Sequence, residues 1–314
     1  MKLIDVANEF LSVKRSVGMR FRSEARGLKT LCRRLGDMDM RDIEPAQICD
    51  FINGKGPVTA AWHYRFGLLR RFYRFALSRG YVSATPLPKI VPKRPPPCPP
   101  YIYTLDELRR LLVAIPTLCF KRTPFLGEVF RALFLMLYGT GLRIHEAVSL
   151  TFGDVDLVDQ LITVYNTKFF KSRLVPIGPR LAQELSSYVK QRWPSSKPPT
   201  AEYPFFALRK GTSISDSYAT RIFRRLRRIT GIKRADGARY QPRVHDIRHT
   251  AAVHRLVAWY RQGEDVQRLL PHLSTYLGHV DLAATQRYLS MTPELLREAN
   301  RRFEHYAFKE IPHV

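Results

Sequence analysis

Val91-Pro-Lys-Arg-Pro-Pro-Pro-Cys-Pro-Pro100 places six prolines in ten residues. Each proline ring fixes φ and removes a backbone donor, so neither a helix nor a central strand can run through this stretch. It reads as an extended, semi-rigid linker of polyproline II character. The linker, taken over 91–101, divides the 314-residue chain into a front part over 1–90 and a larger part over 102–314.

Charge runs through both parts. The chain holds 52 Lys and Arg against 27 Asp and Glu, a formal net charge of +25. The basic residues are interleaved with Phe, Leu, Tyr and Trp on both sides of the linker, as on folded surfaces, and are not gathered in a low-complexity arm. A compact chain with this excess repels itself, and a polyanion relieves that repulsion. An enzyme acting on a small metabolite has no use for it. Membrane insertion is excluded, because the most apolar run, over 132–142, is about half the roughly 20 residues a spanning helix needs. No leader pattern opens the chain. Cys32, Cys49, Cys98 and Cys119 show no CxxC spacing, so neither a disulfide framework nor a zinc site is indicated. The expected setting is the cytoplasm and the expected partner is nucleic acid.

The front part reads as all-helical. Ile4, Val6, Phe10 and Leu11, then Leu28, Leu31 and Leu35, recur near helical spacing. From about Thr59 to Leu77, Trp62, Phe66, Leu69 and Tyr73 fall at steps of four, three and four, with Phe72 widening the stripe. The same helix carries Arg65, Arg70, Arg71 and Arg74. A solvated basic face has this composition too. Beside a proline hinge and a second basic domain, the set is read as contacting a DNA backbone.

Beyond the linker, Thr104 stands three residues before Glu107 ahead of an apolar run, the pattern of a capping box. Helices are predicted over 127–138, 144–150, 178–192, 215–230, 245–261, 265–276 and 292–307. Two β-rich runs, 161–165 and 173–177, are predicted to form a hairpin around a lysine-bearing loop. Arg221, Arg224, Arg225 and Arg228 share one predicted helix with Ile222, Phe223 and Leu226, which gives it a packed side and a DNA-facing side. The fold class is therefore mainly α with a small β-hairpin.

Three patterns carry chemistry. In Tyr138-Gly-Thr-Gly-Leu-Arg-Ile-His-Glu-Ala147, two glycines end one helix, and Arg143 opens the next with Glu146 one turn on to hold its fork. In His245-Asp-Ile-Arg-His249, His245 and Arg248 are three apart and can converge on one phosphate. In Leu277-Gly-His-Val-Asp-Leu-Ala-Ala-Thr-Gln-Arg-Tyr288, a tyrosine follows His279 at a fixed distance. Neither the His245/His249 pair nor His145-Glu146 completes a metal-ligand spacing.

Taken in order, these motifs resemble the tyrosine recombinase (phage-integrase) family over about 102–307, and the front part resembles its core-binding domain in layout. The resemblance implies that Tyr288 is the nucleophile. It implies that Arg143 and Arg248 clamp the scissile phosphate, that His279 donates to a phosphate oxygen, and that His245 assists proton movement. It aligns Lys168 with the family's hairpin lysine. Thr167 and Phe169 stand where the family has glycines, and Lys171 remains the second candidate. The implied reaction forms a 3′-phosphotyrosine bond and frees a 5′-hydroxyl, with no cofactor, metal or ATP. The implied partners are duplex DNA bearing specific recombination sites and copies of this chain, a monomer or dimer when free and a tetramer on DNA, with partner recombinases or accessory proteins where the element uses them. The implied setting is the bacterial nucleoid, and the two domains would close around the duplex. The amphipathic C-terminal helix docks on a neighbour in the family; packing within its own chain is the other reading. Competing functions are a type IB-like topoisomerase or resolvase, a catalytically inactive DNA-binding architectural protein, and a metal-dependent nuclease. Among biological roles, integration, excision or transposition of a mobile element fits the layout best.

Overall fold

A computed structural model describes residues 1–19, 21–54, 56–96, 98–118, 125–165, 172–194, 199–208, 211–290 and 293–310, the side chains of 290 and 306–310 excepted. The chain divides into two compact units, Met1–Pro97 and Cys98–Val314, so the division falls inside the proline run.

The first unit is four helices, α1 (Leu3–Ser16), α2 (Arg22–Leu35), α3 (Pro45–Asn53) and α4 (Ala60–Ser78). Burial of apolar side chains holds it together: Phe10 meets Phe72 edge-on at 5.7 Å between ring centroids, and both are fully buried. Helices α2 and α4 approach closely because residue 27 is glycine; a Cβ there would stand 2.6 Å from Leu68 Cδ2. The stripe of α1 runs through Leu3, Val6, Ala7, Phe10 and Leu11, and Ile4 is exposed. A 3.6-residue repeat cannot bury both Leu3 and Ile4 with Phe10, and the longer-range core selects Leu3. Helix α3 was not legible from periodicity. Pro45 opens it, and the Gln47 side chain accepts from the Glu44 backbone N–H at 3.0 Å.

The second unit begins with α5 (Leu105–Val113), where Thr104 and Glu107 cap one another reciprocally at 2.9 and 3.1 Å. Next come α6 (Leu126–Thr140), α7 (Ile144–Val148), an antiparallel sheet β1 (Val155–Asp156), β2 (Leu161–Val164), β3 (Arg173–Pro176), and then α8 (Pro179–Arg192) and α9 (Asp216–Ile229). The expected hairpin is present with Ile162 opposite Val175 and Val164 opposite Arg173, and the short β1 adds a third strand. A two-residue strand is too short to show an alternating pattern.

The chain closes with α10 (Asp246–Arg261), α11 (Val266–Leu277), α12 (Ala283–Gln286), a 3₁₀ turn over Arg287–Ser290 and α13 (Pro293–Glu310). Its apolar interior falls into two clusters. One joins α6, the sheet, α8 and α9 through Phe130, Leu137, Val175 and Phe223. The other joins α10 and α11 to the 3₁₀ turn through Val253, Leu256, Leu273 and Leu277, and includes Tyr288 and Leu295. Helix α13 lies on α10 of its own chain, where Arg261 donates to Glu294 at 2.6 Å and to Glu298 at 3.2 Å. Among the described residues no helix is long and apolar enough to cross a membrane.

Candidate active site

The site is assembled on three backbone turns, two of which carry a left-handed glycine. Helix α6 ends at Gly141, whose φ of +63° is left-handed and whose N–H closes on Leu137 O. A Cβ at Gly141 would also stand 2.7 Å from Leu277 Cδ2, so conformation and space both require glycine. The turn delivers Arg143 to the head of α7. There Glu146 accepts from the Arg143 backbone N–H at 3.0 Å and from Arg143 Nη1 at 2.8 Å. Glu146 thus pairs with both the backbone and the guanidinium of Arg143.

The second turn follows α11. Gly278 has φ +68°, its carbonyl accepts from Arg143 Nη2 at 3.1 Å, and its neighbour Leu277 accepts from Arg248 Nη2 at 2.7 Å. Arg248 also donates through Nη1 to Gly141 O at 2.7 Å. The two arginines are thus tied to the same pair of turns. Arg248 is 3% exposed, and burial together with the Arg143 cation pulls its pKa down to about 10, which leaves it charged at neutral pH.

The third turn is the approach to α10. His245 stands at the N-cap position, and Asp246, fully buried, accepts from the Arg243 backbone at 2.8 Å and from its guanidinium at 2.9 Å. This pairing fixes where His245 and Arg248 leave the helix. His245 is exposed in area, and desolvation and the Arg248 cation lower its pKa.

His279 Nδ1 lies 2.7 Å from the hydroxyl of Thr285, itself fully buried. Burial, then the charges of Arg248 and Arg143, lower the His279 pKa to about 4, so the ring is neutral. Where Thr285 donates to Nδ1, the ring proton sits on Nε2, the tautomer that can donate to a phosphate oxygen. The Tyr288 ring stacks on that of His279 at 6.0 Å and 30°. Tyr288 is 2% exposed, and its hydroxyl lies 3.1 Å from His249 Nδ1. Burial raises the phenol pKa, while the charge and hydrogen bonding of Arg248 pull in the opposite direction.

Arg143, Glu146, His245, Arg248, His279 and Tyr288 are therefore gathered into one site. Lys168 and Lys171 lie outside the described residues. One participant was missed. Arg173, 9% exposed at the head of β3, donates to both Glu146 carboxylate oxygens at 3.2 and 2.8 Å and to Tyr276 O at 3.1 Å. Burial opposes ionisation of Glu146, but Arg173 and Arg143 outweigh it and hold the carboxyl at about 2. The signal was present: strand alternation puts Arg173 on the same face as buried Val175, and an inward arginine requires a carboxylate.

The arginines read as backbone contacts separate by surroundings. Arg221, Arg224, Arg225 and Arg228 all lie on the exposed side of α9, opposite buried Ala219, Ile222, Phe223 and Leu226. Arg221 sits over the Tyr218 ring at 4.9 Å. In the first unit, Arg70 and Arg74 are exposed without an acidic partner among the described residues. Arg71 faces Glu24 at 3.7 Å. Arg65 is half-buried and donates to Asn53 O, so it closes α3 as well as lining the surface. Among the described residues no group of three His, Cys, Asp or Glu stands together to hold a metal.

The Phage integrase family model matches residues 103–294, well over half of the chain. This chain belongs to the phage integrase family. Its members are tyrosine-dependent DNA strand transferases, in general metal- and ATP-independent, and site-specific recombination of DNA is the activity this membership carries. A protein named as an integrase/recombinase, y4rB of Sinorhizobium fredii, is 34% identical over 94% of this chain and 95% of its own. Among solved structures, the Tn1549 transposon integrase bound to a circular intermediate DNA is similar with a TM-score of 0.65 at 18% identity, over 95% of this chain and 99% of that one. A lambda integrase tetramer bound to a Holliday junction is similar with a TM-score of 0.60 at 18% identity, over 90% and 78%. At such identities the structural likeness speaks for the fold.

Proposed function

We propose that this phage-integrase family member exchanges DNA strands through a covalent bond on Tyr288, in the service of a mobile element's integration, excision or transposition. The observation that carries the site assignment is the tethering of Arg143 and Arg248 to the turns at Gly141 and Leu277-Gly278, beside the Tyr288 hydroxyl. Two fixed guanidinium forks are suited to a phosphate whose oxygens gather charge as a nucleophile adds. The Tyr288 oxygen attacks phosphorus, a 3′-phosphotyrosine bond forms, and the 5′-oxygen leaves. Lys168, or Lys171 in its place, protonates that oxygen. His279 donates from Nε2 to a phosphoryl oxygen, and His245 assists proton movement beside it. The bond energy is kept in the phosphotyrosine link, so a second 5′-hydroxyl can reverse the step on another strand.

In this reading residues 1–90 form a core-binding domain joined through 91–101 to the catalytic domain, 102–314. Arg65, Arg70, Arg71, Arg74, Arg221, Arg224, Arg225 and Arg228 grip the duplex backbone. Two protomers bind each recombination site, a tetramer forms on paired sites, and the reaction takes place in the cytoplasm at the nucleoid. The lambda integrase tetramer on a Holliday junction supports such an assembly. The test is to incubate the protein with two distinguishable duplexes carrying its site in EDTA. Recombinant products joined between duplexes, with four-way junction intermediates, are expected. Relaxation or resealing of the same strand alone would point to a topoisomerase, and strict Mg²⁺ dependence to a nuclease.

A further inference from the structure

The second histidine of His245-Asp-Ile-Arg-His249 has no role in the scheme above, yet His249 lies within hydrogen-bond distance of the reacting atom. Its Nδ1 lies 3.1 Å from the Tyr288 hydroxyl, with the two rings at 5.6 Å and tilted by 57°. We propose that His249 is the proton acceptor for Tyr288 in cleavage and the proton donor to it in rejoining. The inference rests on Tyr288 being the nucleophile.

A phenol must lose its proton as it attacks, and its pKa near 10, raised further here by burial, makes spontaneous ionisation at neutral pH scarce. An acceptor within hydrogen-bond reach is required. Arg248, the other group close to the hydroxyl, holds no lone pair for a proton and can only stabilise the oxygen once it is charged. Among the described residues no carboxylate pairs with the phenol. The His245 ring meets that of His249 perpendicularly at 5.0 Å between centroids, and among the described contacts His249 is the imidazole paired with the hydroxyl.

The surroundings keep His249 ready to accept. Burial, then the neighbouring His245 and the cations Arg248 and Arg243, with Asp246 opposing them, hold its pKa at about 4. It is therefore neutral, and with Tyr288 donating to Nδ1 its own proton resides on Nε2. A base this weak cannot take the proton in the resting enzyme. A bound phosphate beside Arg248 offsets one of the charges that depress it, and transfer accompanies bond formation. The balance is closed: the Tyr288 O–P bond forms as P–O5′ breaks, the phenolic proton moves to Nδ1, and the hairpin lysine supplies the proton on the leaving oxygen. In rejoining, the imidazolium returns its proton to the departing Tyr288 oxygen.

The experiment measures single-turnover cleavage of a nicked suicide duplex with DNA binding followed in parallel. His249→Asn retains an acceptor oxygen but no basic lone pair. It is expected to bind DNA like the wild type and cleave about 100-fold more slowly or worse. Replacing Tyr288 by a fluorinated tyrosine whose phenol ionises near neutral pH should shrink that deficit at least tenfold, because the nucleophile then needs no base. A merely structural histidine would leave the deficit unchanged by fluorination, and that result overturns the proposal. So does full-rate cleavage by His249→Asn. A covalent complex that survives Tyr288→Phe would instead remove the nucleophile itself, which separates failure of the underlying reading from failure of this one.

Discussion

Arg173 occupies the space that a side chain on Gly278 would need. A Cβ there would stand 2.7 Å from Arg173 Nη1 and 2.8 Å from Cζ, and the backbone at Gly278 is left-handed as well. The glycine of Leu277-Gly278-His279 thus serves two ends: it turns the chain toward His279 and it admits the guanidinium that steadies Glu146. Gly278→Ala should cost about 1–3 kcal/mol from backbone strain alone. Cleavage should fall more than stability explains, since Arg173 is displaced with it. Urea unfolding and single-turnover cleavage on saturating DNA check both parts. A variant with wild-type cleavage would mean that Arg173 can leave without disturbing Arg143.

Removing Arg173 itself should be worse. Glu146 is 8% exposed, and Arg173→Leu leaves its carboxylate with Arg143 as its remaining charged partner. Breaking a buried pair in this way costs about 3–5 kcal/mol, and the retained Arg143 contact favours the lower end. The double variant Arg173→Leu/Glu146→Leu should be more stable than Arg173→Leu alone. Its cleavage should stay low, because Arg143 has lost its support. A simple sum of the two single losses would contradict the coupling.

The surface arginines should separate from the buried ones in their salt response. Arg225→Ala or Arg228→Ala is expected to lower the slope of log affinity against log salt by about one and leave cleavage at saturating DNA within about twofold. Arg143→Ala should do the reverse, with cleavage falling roughly 100- to 1000-fold. Filter binding across a salt series, paired with single-turnover rates, makes the distinction.

Much of this division was legible before the fold was known. Arg143, His245, Arg248, His279 and Tyr288 are marked by short-range spacing, and short range is what a linear reading handles well. The proline run at 91–100 announces its own boundary chemically. Arg173 stayed hidden because its meaning depends on a carboxylate 27 residues earlier and a carbonyl 103 residues later. Ile4 misled for the same reason: its exposure is decided by which face of α1 meets Phe72 and its neighbours, not by local periodicity. The arginines of α4 looked alike in sequence, and only the position of Asn53 sets Arg65 apart from Arg70 and Arg74.

Acidification should destabilise the second unit in two steps. His249 and His279 sit at about 4, below the ordinary 6.5 of histidine, chiefly through burial. Between about pH 4 and 6.5 the unfolded chain binds more protons than the folded one, so stability rises with pH across that window and is lost as pH falls through it. Glu146, held at about 2 against an ordinary 4.5, adds a further loss only below about pH 4.5. His279→Gln should reduce the slope in the first window, leaving the share of His249, and leave the second unchanged. Urea midpoints at pH 7, 5.5 and 4 measure this, and an unchanged slope between pH 7 and 5.5 would contradict the assignment.

Tyr288, held beside Arg248 and His249, is expected to become covalently joined to DNA. The direct measurement traps cleavage on a nicked suicide duplex in EDTA, digests the DNA and locates the nucleotide adduct by mass spectrometry. The adduct is predicted on Tyr288, with the trapped complex absent in Tyr288→Phe. An adduct on another residue, such as neighbouring Tyr276, or a trapped complex that persists in Tyr288→Phe, would contradict it.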